Sequence, residues 1–261
     1  MKLSKIVAVH SYKGGTGKTL MSVNLAATFA KHGKKVCLFD LDFRAPSLFA
    51  ILKVEKMDFW LNDYLNGKCE ITKTLIDLSG RLGGADNFFA SLANPTTEAI
   101  REMSAKDRKW EMRALGRLLS LRNTLLNDQH FDYLVFDTSP GLQYSSINAI
   151  VTADFVVVAT TGDRSDVNGT QRMLRELYNL FEKKTGLVMN KVLDPTSKSR
   201  RDELSAKIKN VYQVPMLGLV PCFCEVLRAE GNLIFVQDKP NHPFTKILDE
   251  MARQIENNQV N

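Results

Sequence analysis

No apolar run in this chain approaches the ~18 residues needed to span a bilayer, so no membrane helix is expected. The N-terminus leads almost directly into Ile6-Val7-Ala8-Val9 and shows neither a signal-peptide apolar region nor a cleavage site. Cysteine is scarce: Cys37, Cys69, Cys222 and Cys224 are the four among 261 residues. Four thiols do not make a disulfide framework in a chain of this length, and a reducing cytoplasm is the expected compartment. Internal repeats, low-complexity tracts and Pro/Gly-rich linkers are missing too, so residues 1–261 read as a single domain. There is no excess of acid. Lys and Arg number 35 against 29 Asp and Glu, and the formal charge of +6 leaves room for a polyanionic partner, either DNA or an anionic membrane surface.

What is present is an alternation of short strand-like and helical stretches. Strands are expected at Lys5–His10, Lys35–Phe39, Asp86–Ser91, Tyr133–Phe136, Phe155–Ala159, Gly186–Met189 and Met216–Val220. Several are continuously apolar, as strands buried on both faces must be. Helical patterns occupy Lys18–His32, Asp107–Asn127, Asp166–Lys184, Arg201–Asn210 and Pro243–Glu256, with Gly33 placed to terminate the first. The expected fold is α/β: a doubly wound, mostly parallel sheet with helices on both faces. Residues 43–80 and 94–114 interrupt the rhythm and are expected at the surface, as short helices and loops and as a polar stretch that precedes or begins the second helical stretch.

The run Lys13-Gly14-Gly15-Thr16-Gly17-Lys18-Thr19 follows a strand and opens a helix, the context of a phosphate loop. Its glycines let successive N–H groups face an anion, and the helix start adds a positive dipole end. Lys18 is placed for the β- and γ-phosphates, and the Thr19 hydroxyl for Mg²⁺. A second strand ends in Asp40-Leu41-Asp42, where a carboxylate can polarise water or join a Mg²⁺ shell. A third ends in Asp137-Thr138-Ser139-Pro140-Gly141, with Asp137 positioned to bind Mg²⁺ through water. Asn190, at the end of a fourth, offers the donor and acceptors that suit an adenine edge.

The extra lysine in KGGTGKT resembles the deviant Walker A motif of the ParA/MinD family of P-loop ATPases, of SIMIBI type, and of its MinD-like members in particular. The resemblance extends over nearly the whole chain. It implies that Lys13 reaches the partner subunit's phosphates and that ATP with Mg²⁺ holds a homodimer together. By the same match Asp42 orients the hydrolytic water, and Asp40 supports the metal or the loop. The segment from Asp137 to Gly141 is similar to the family's second switch, written DTPPG or DSPAG, in which Gly141 brings an N–H to the γ-phosphate. Asn190 then contacts adenine, and Leu217–Pro221 passes beside the base, with Pro221 at its end. The implied activity is slow ATP hydrolysis that controls positioning or recruitment in cell division or DNA partitioning, through an unidentified protein activator or cargo.

Three weaker features remain. Cys222-Phe223-Cys224 could pair across a dimer to bind Zn²⁺, which keeps a metallochaperone-like ATPase as an alternative, alongside a nucleotide-binding scaffold with little turnover. Lys198, Arg200, Arg201, Lys207 and Lys209 form a basic stretch of the kind that binds DNA nonspecifically in ParA-like relatives, although Asp202 and Glu203 interrupt it. The last helix places Phe244, Ile247, Leu248, Met251 and Ile255 on one side. Its Asp249, Glu250 and Glu256 depart from the basic membrane anchor of MinD relatives, so it reads as docked on the sheet.

Overall fold

The computed structural model describes residues 4–82, 87–178, 181–193 and 198–257. Among these residues one sheet has eight strands: β1 (Lys5–His10), β2 (Val36–Leu41), β3 (Leu75–Asp77), β4 (Phe88–Ser91), β5 (Tyr133–Thr138), β6 (Phe155–Thr161), β7 (Lys184–Val192) and β8 (Met216–Pro221). Their order is β3-β4-β2-β5-β1-β6-β7-β8, and all pairs are parallel except β3 with β4. The helices of two turns or more are α1 (Lys18–Lys31), α2 (Thr97–Ser104), α3 (Arg108–Leu121), α4 (Tyr144–Thr152), α5 (Arg164–Met173), α6 (Lys198–Tyr212) and α7 (Pro243–Glu256).

Alternation along the buried strands builds two apolar layers. Ile6, Ala8, Cys37 and Phe39 face a layer completed by Trp110, Leu118 and Leu121 of α3, Ile150 of α4 and Met173 of α5. Val7, Val9, Val36 and Leu38 face the other, with Met21, Phe29 and Ala30 of α1 and Leu248, Met251 and Ile255 of α7. Helix α1 is buried on every side from Met21 to Ala30, because α7 covers the face that the sheet does not. Phe29 stacks on Tyr133 with centroids 4.1 Å apart and planes at 5°. Gly33 ends α1 at φ 76°, and its N–H donates to the Ala30 carbonyl at 2.9 Å. The terminal helix docks as its apolar stripe implied, and His32 at the end of α1 holds its Asp249 (2.7 Å) and Glu256 (3.1 Å). No described helix is long and apolar enough to cross a membrane.

The structure corrects several boundaries. β5 and β7 run further than their apolar cores, through Thr138 and Val192, because neighbouring strands extend the ladder over polar residues. The expected strand from Asp86 begins at Phe88, and Asp86 lies outside the described residues. β3 has too few residues for a period-2 pattern and was not expected. Residues 97–104 form their own helix, capped by Thr96, before Asp107 caps α3. The helix expected to continue to Lys184 ends α-type geometry at Met173 and widens into a π-type turn through Tyr178. Lys184 already belongs to β7.

Removing the Phe29 ring leaves a cavity between α1 and β5, so Phe29→Ala is expected to cost about 3–5 kcal/mol in urea-monitored unfolding. A loss below about 1 kcal/mol would contradict the packing described.

Candidate functional site

The winding of the sheet reverses at β1, which lies between β5 and β6. Crevices at such points, beyond the carboxyl ends of the strands, are where open α/β sheets take ligands. The chain leaves β1 into the glycine loop and enters α1 at Lys18. Gly15 (φ 77°) and Gly17 (φ 93°) occupy left-handed backbone that side chains disfavour. No side chain caps α1 and its first turn holds no acid, so its positive end is left for an external anion. Lys18 is buried at 7% exposure, and Thr19 beside it is half-buried. The Thr16 hydroxyl is buried without a hydrogen-bond partner.

Asp40 and Asp137 are register partners on adjacent β2 and β5, which brings two fully buried carboxylates together. Burial raises Asp40 well above the usual carboxylate range, and the neighbouring Asp137 adds to the effect. Its oxygens accept the N–H groups of Asp42 (3.1 Å) and Leu48 (3.2 Å), which braces the loop after β2. Asp137 is pushed up to about 6, first by burial and then by Asp42, against the pull of Lys18 and of the Thr19 and Ser22 hydroxyls. Its Oδ1 accepts from Ser22 at 2.9 Å, and its Oδ2 is buried with no hydrogen-bond partner. An orphaned carboxylate oxygen beside Lys18 and Thr19 suits a hydrated divalent cation, a hard ion that oxygen donors hold.

The switch residues meet above this pair. Asp42 lies one residue past β2, where its Oδ1 accepts from the Ser139 hydroxyl (2.9 Å) and the Ala45 N–H (3.2 Å). Pro140 packs near Gly14, whose absent Cβ would lie 4.0 Å from the proline ring. Gly141 (φ 76°) donates its N–H to the Ser11 carbonyl at 2.9 Å, so the amide expected at a γ-phosphate is engaged by the phosphate-loop strand in this conformation. The Gly141 carbonyl meets His10 Nε2 at 2.9 Å, while His10 Nδ1 meets the Tyr178 hydroxyl at 2.6 Å. Burial lowers His10 to about 4, so the ring is neutral at physiological pH and donates from Nε2 to the carbonyl. The switch turn borders a cleft of about 400 Å³ lined by Arg44, Trp110, Glu111 and Tyr144.

Lys13 differs from Lys18 in every respect. Its side chain is 50% exposed, and its Nζ lies 3.2 Å from Asp163 and 3.0 Å from the Ser165 hydroxyl at the start of α5. Asp163 is held below the usual carboxylate range, first by the Ser165 hydroxyl, then by the Asp166 N–H and Lys13.

At the other end of the loop a pocket of about 250 Å³ is lined by Gly15, Gly17, Leu20, Asn190, Pro221 and Phe223 among others. Asn190 and Pro221 therefore meet at one cavity. Asn190 also reaches behind the loop to the Thr16 carbonyl. Cys222 lines the same pocket and Cys224 is exposed. Among the described residues, no group of three or more His, Cys, Asp or Glu could hold a metal ion. Of the basic stretch, the side chains of Lys198, Arg200, Arg201 and Lys207 lie outside the described residues, and Lys209 is exposed on α6.

Sequence reasoning overlooked Ser22, His10, Ser139, Asp163 and Lys191. Ser139 carried a signal, since a hydroxyl stands where similar switches have proline. The others sit at ordinary helix or strand positions, and only the fold brings them to the site.

The AAA domain family matches residues 4–194, a span that includes the glycine loop, both carboxylate strands and Asn190. The septum site-determining protein MinD of Thermotoga maritima is 25% identical over 256 residues, covering 97% of this chain and 88% of the relative. The cell division ATPase MinD of Pyrococcus furiosus has the same fold, with a TM-score of 0.77 at 23% identity over 98% of this chain and 99% of that one. The septum site-determining protein MinD of Pyrococcus horikoshii, solved with Mg-ADP, gives 0.76 at 22% identity over 97% and 96% of the two chains. With a family model matching residues 4–194 and MinD aligned over nearly the whole chain, the chain belongs to the ParA/MinD family of P-loop ATPases.

Proposed function

We propose that this protein is an ATP-driven dimerisation switch, in which nucleotide joins two copies and slow hydrolysis releases them to control a partner. The observation that carries this reading is the division of labour between two lysines five residues apart. Lys18 is buried at its own phosphate cradle, whereas Lys13 stands half-exposed outside it. A lysine held at the surface by Asp163 and Ser165, on leaving that pair, can serve the phosphates of a second copy, where a charge-assisted contact stabilises the ATP-bound pair.

The loop amides and the α1 N-terminus hold the phosphates, and Lys18 neutralises the β- and γ-oxygens. Thr19 and Asp137 would hold Mg²⁺, Asp137 through water, and the ion would supply charge neutralisation. Asp42 orients the attacking water, and the Ser139 hydroxyl fixes the carboxylate that does so. A γ-phosphate competes with the Ser11 carbonyl for the Gly141 amide, which links nucleotide state to the switch turn. The pocket holding Asn190 and Pro221 takes the adenine. A protein activator or cargo is the proposed client. A DNA client would instead bind through phosphate contacts that weaken steeply with salt.

Two variants separate assembly from turnover. Lys13→Ala is expected to abolish ATP-dependent dimers while leaving ATP affinity nearly unchanged, and Asp42→Ala to keep the dimer while slowing turnover by on the order of 10²-fold or more. Light scattering with a phosphate-release assay reads both. Dimers that survive Lys13→Ala, or turnover untouched by Asp42→Ala, would reject these roles.

Asp137 has a pH signature. Its folded pKa, about 6, exceeds the ordinary carboxylate value, so its contribution to stability is fully present below that ordinary value and is lost as pH rises through about 6. Asp137→Asn removes the buried charge. It is expected to raise the melting temperature of the nucleotide-free protein above pH 6, to give no gain in strongly acidic buffer, and to weaken Mg²⁺-dependent ATP binding. A variant that is less stable than the parent at pH 8 would contradict the assigned cost.

A further inference from the structure

The pairing of β7 with β8 is irregular in two places, the first between Leu187 and Val188. It slips again between Met189 and Val192, and Lys191 stands in left-handed backbone at φ 57°. Irregularities of this kind re-aim side chains, and strained residues persist only where surrounding contacts hold them. Here two consecutive side chains reach two consecutive carbonyls of the phosphate loop. Asn190 Nδ2 donates to the Thr16 carbonyl at 2.8 Å, and Lys191 Nζ donates to the Gly15 carbonyl at 2.8 Å. Asn190 Oδ1 accepts the Lys191 N–H at 2.8 Å, which braces the strained residue. Gly17 completes the fit, since a Cβ there would run into the Asn190 amide.

A loop that turns its N–H groups inward to an anion turns carbonyls outward, and each of those needs a donor. The glycines that permit this shape also permit many others, so a free loop loses conformational entropy when it closes on phosphate. We infer that Asn190 and Lys191 are positioning residues that hold the phosphate loop from behind and keep its anion-binding amides formed before nucleotide arrives. The clasp rests on the nucleotide reading above and deepens it. A residue that only reads adenine affects nucleotides alone, whereas a clasp on the loop affects any polyphosphate.

The test uses the full chain and compares Asn190→Ser, Lys191→Met and Lys191→Arg. Calorimetry with Mg-ATP and with Mg-tripolyphosphate separates the base from the phosphates. Hydrogen exchange of the amides at 14–19 in the nucleotide-free protein reads loop order without any ligand. Lys191→Met is expected to weaken both ligands by the same factor, about fivefold for one exposed hydrogen bond, and Lys191→Arg to restore most of it. Because Lys191→Met also removes a charge, the neutral Asn190→Ser variant decides the matter. Faster loop exchange with tripolyphosphate weakened alongside ATP supports the clasp. Unchanged exchange with only ATP weakened overturns it. If the parent protein binds neither ligand, the nucleotide reading fails, and the exchange measurement still decides whether the clasp orders the loop.

Discussion

A buried carboxylate with one unsatisfied oxygen, Asp137 at the end of β5, is the interaction around which this site is arranged. Its cost is visible in its raised pKa, and Lys18, Thr19 and Ser22 offset only part of it. The pairing of β2 with β5 adds a second buried carboxylate, Asp40, which the chain spends on two backbone amides rather than leaving open. The remaining unpaired oxygen and the uncapped start of α1 are therefore complementary defects. One calls for a cation and the other for an anion, and a metal–polyphosphate complex satisfies both.

The two expected switch segments are tied to this centre by short polar links, and Phe43 of the first is also packed into the core. Ser139 bridges the second switch to Asp42 of the first, and the Gly141 peptide is held by Ser11 on one side and His10 on the other. Polar links of this kind can exchange partners at small cost, whereas apolar layers such as those beneath them do not rearrange in small steps. The sheet fixes the positions of Asp40 and Asp137, and in the proposed switch the loops beyond it would register which nucleotide is present.

Much of this was legible in the sequence. The glycine loop announces itself because its shape depends on residue types in a fixed local order, and the buried parallel strands because they are continuously apolar. Asp137 and Asn190 followed from their places at strand ends. β3 was not legible, since three residues carry no period. The helix boundaries at Ser104 and Met173 were obscured by sequence that stays helix-compatible beyond them. His10 meeting Tyr178, Lys13 meeting Asp163 and Lys191 meeting Gly15 each join residues more than 140 positions apart, and nothing local specifies such contacts. Asp40 shows the intermediate case: its type and strand-end place suited a metal, and only the fold revealed that two amides claim it.

The central claim is that triphosphate, and not diphosphate, joins two copies of this chain. Sedimentation equilibrium of the unmodified protein with Mg²⁺ and a non-hydrolysable ATP analogue, compared with Mg²⁺ and ADP, tests it directly. The expected masses are twice the 29.4 kDa chain with the analogue and a single chain with ADP. One mass in both nucleotides, whether monomer or dimer, would contradict the account.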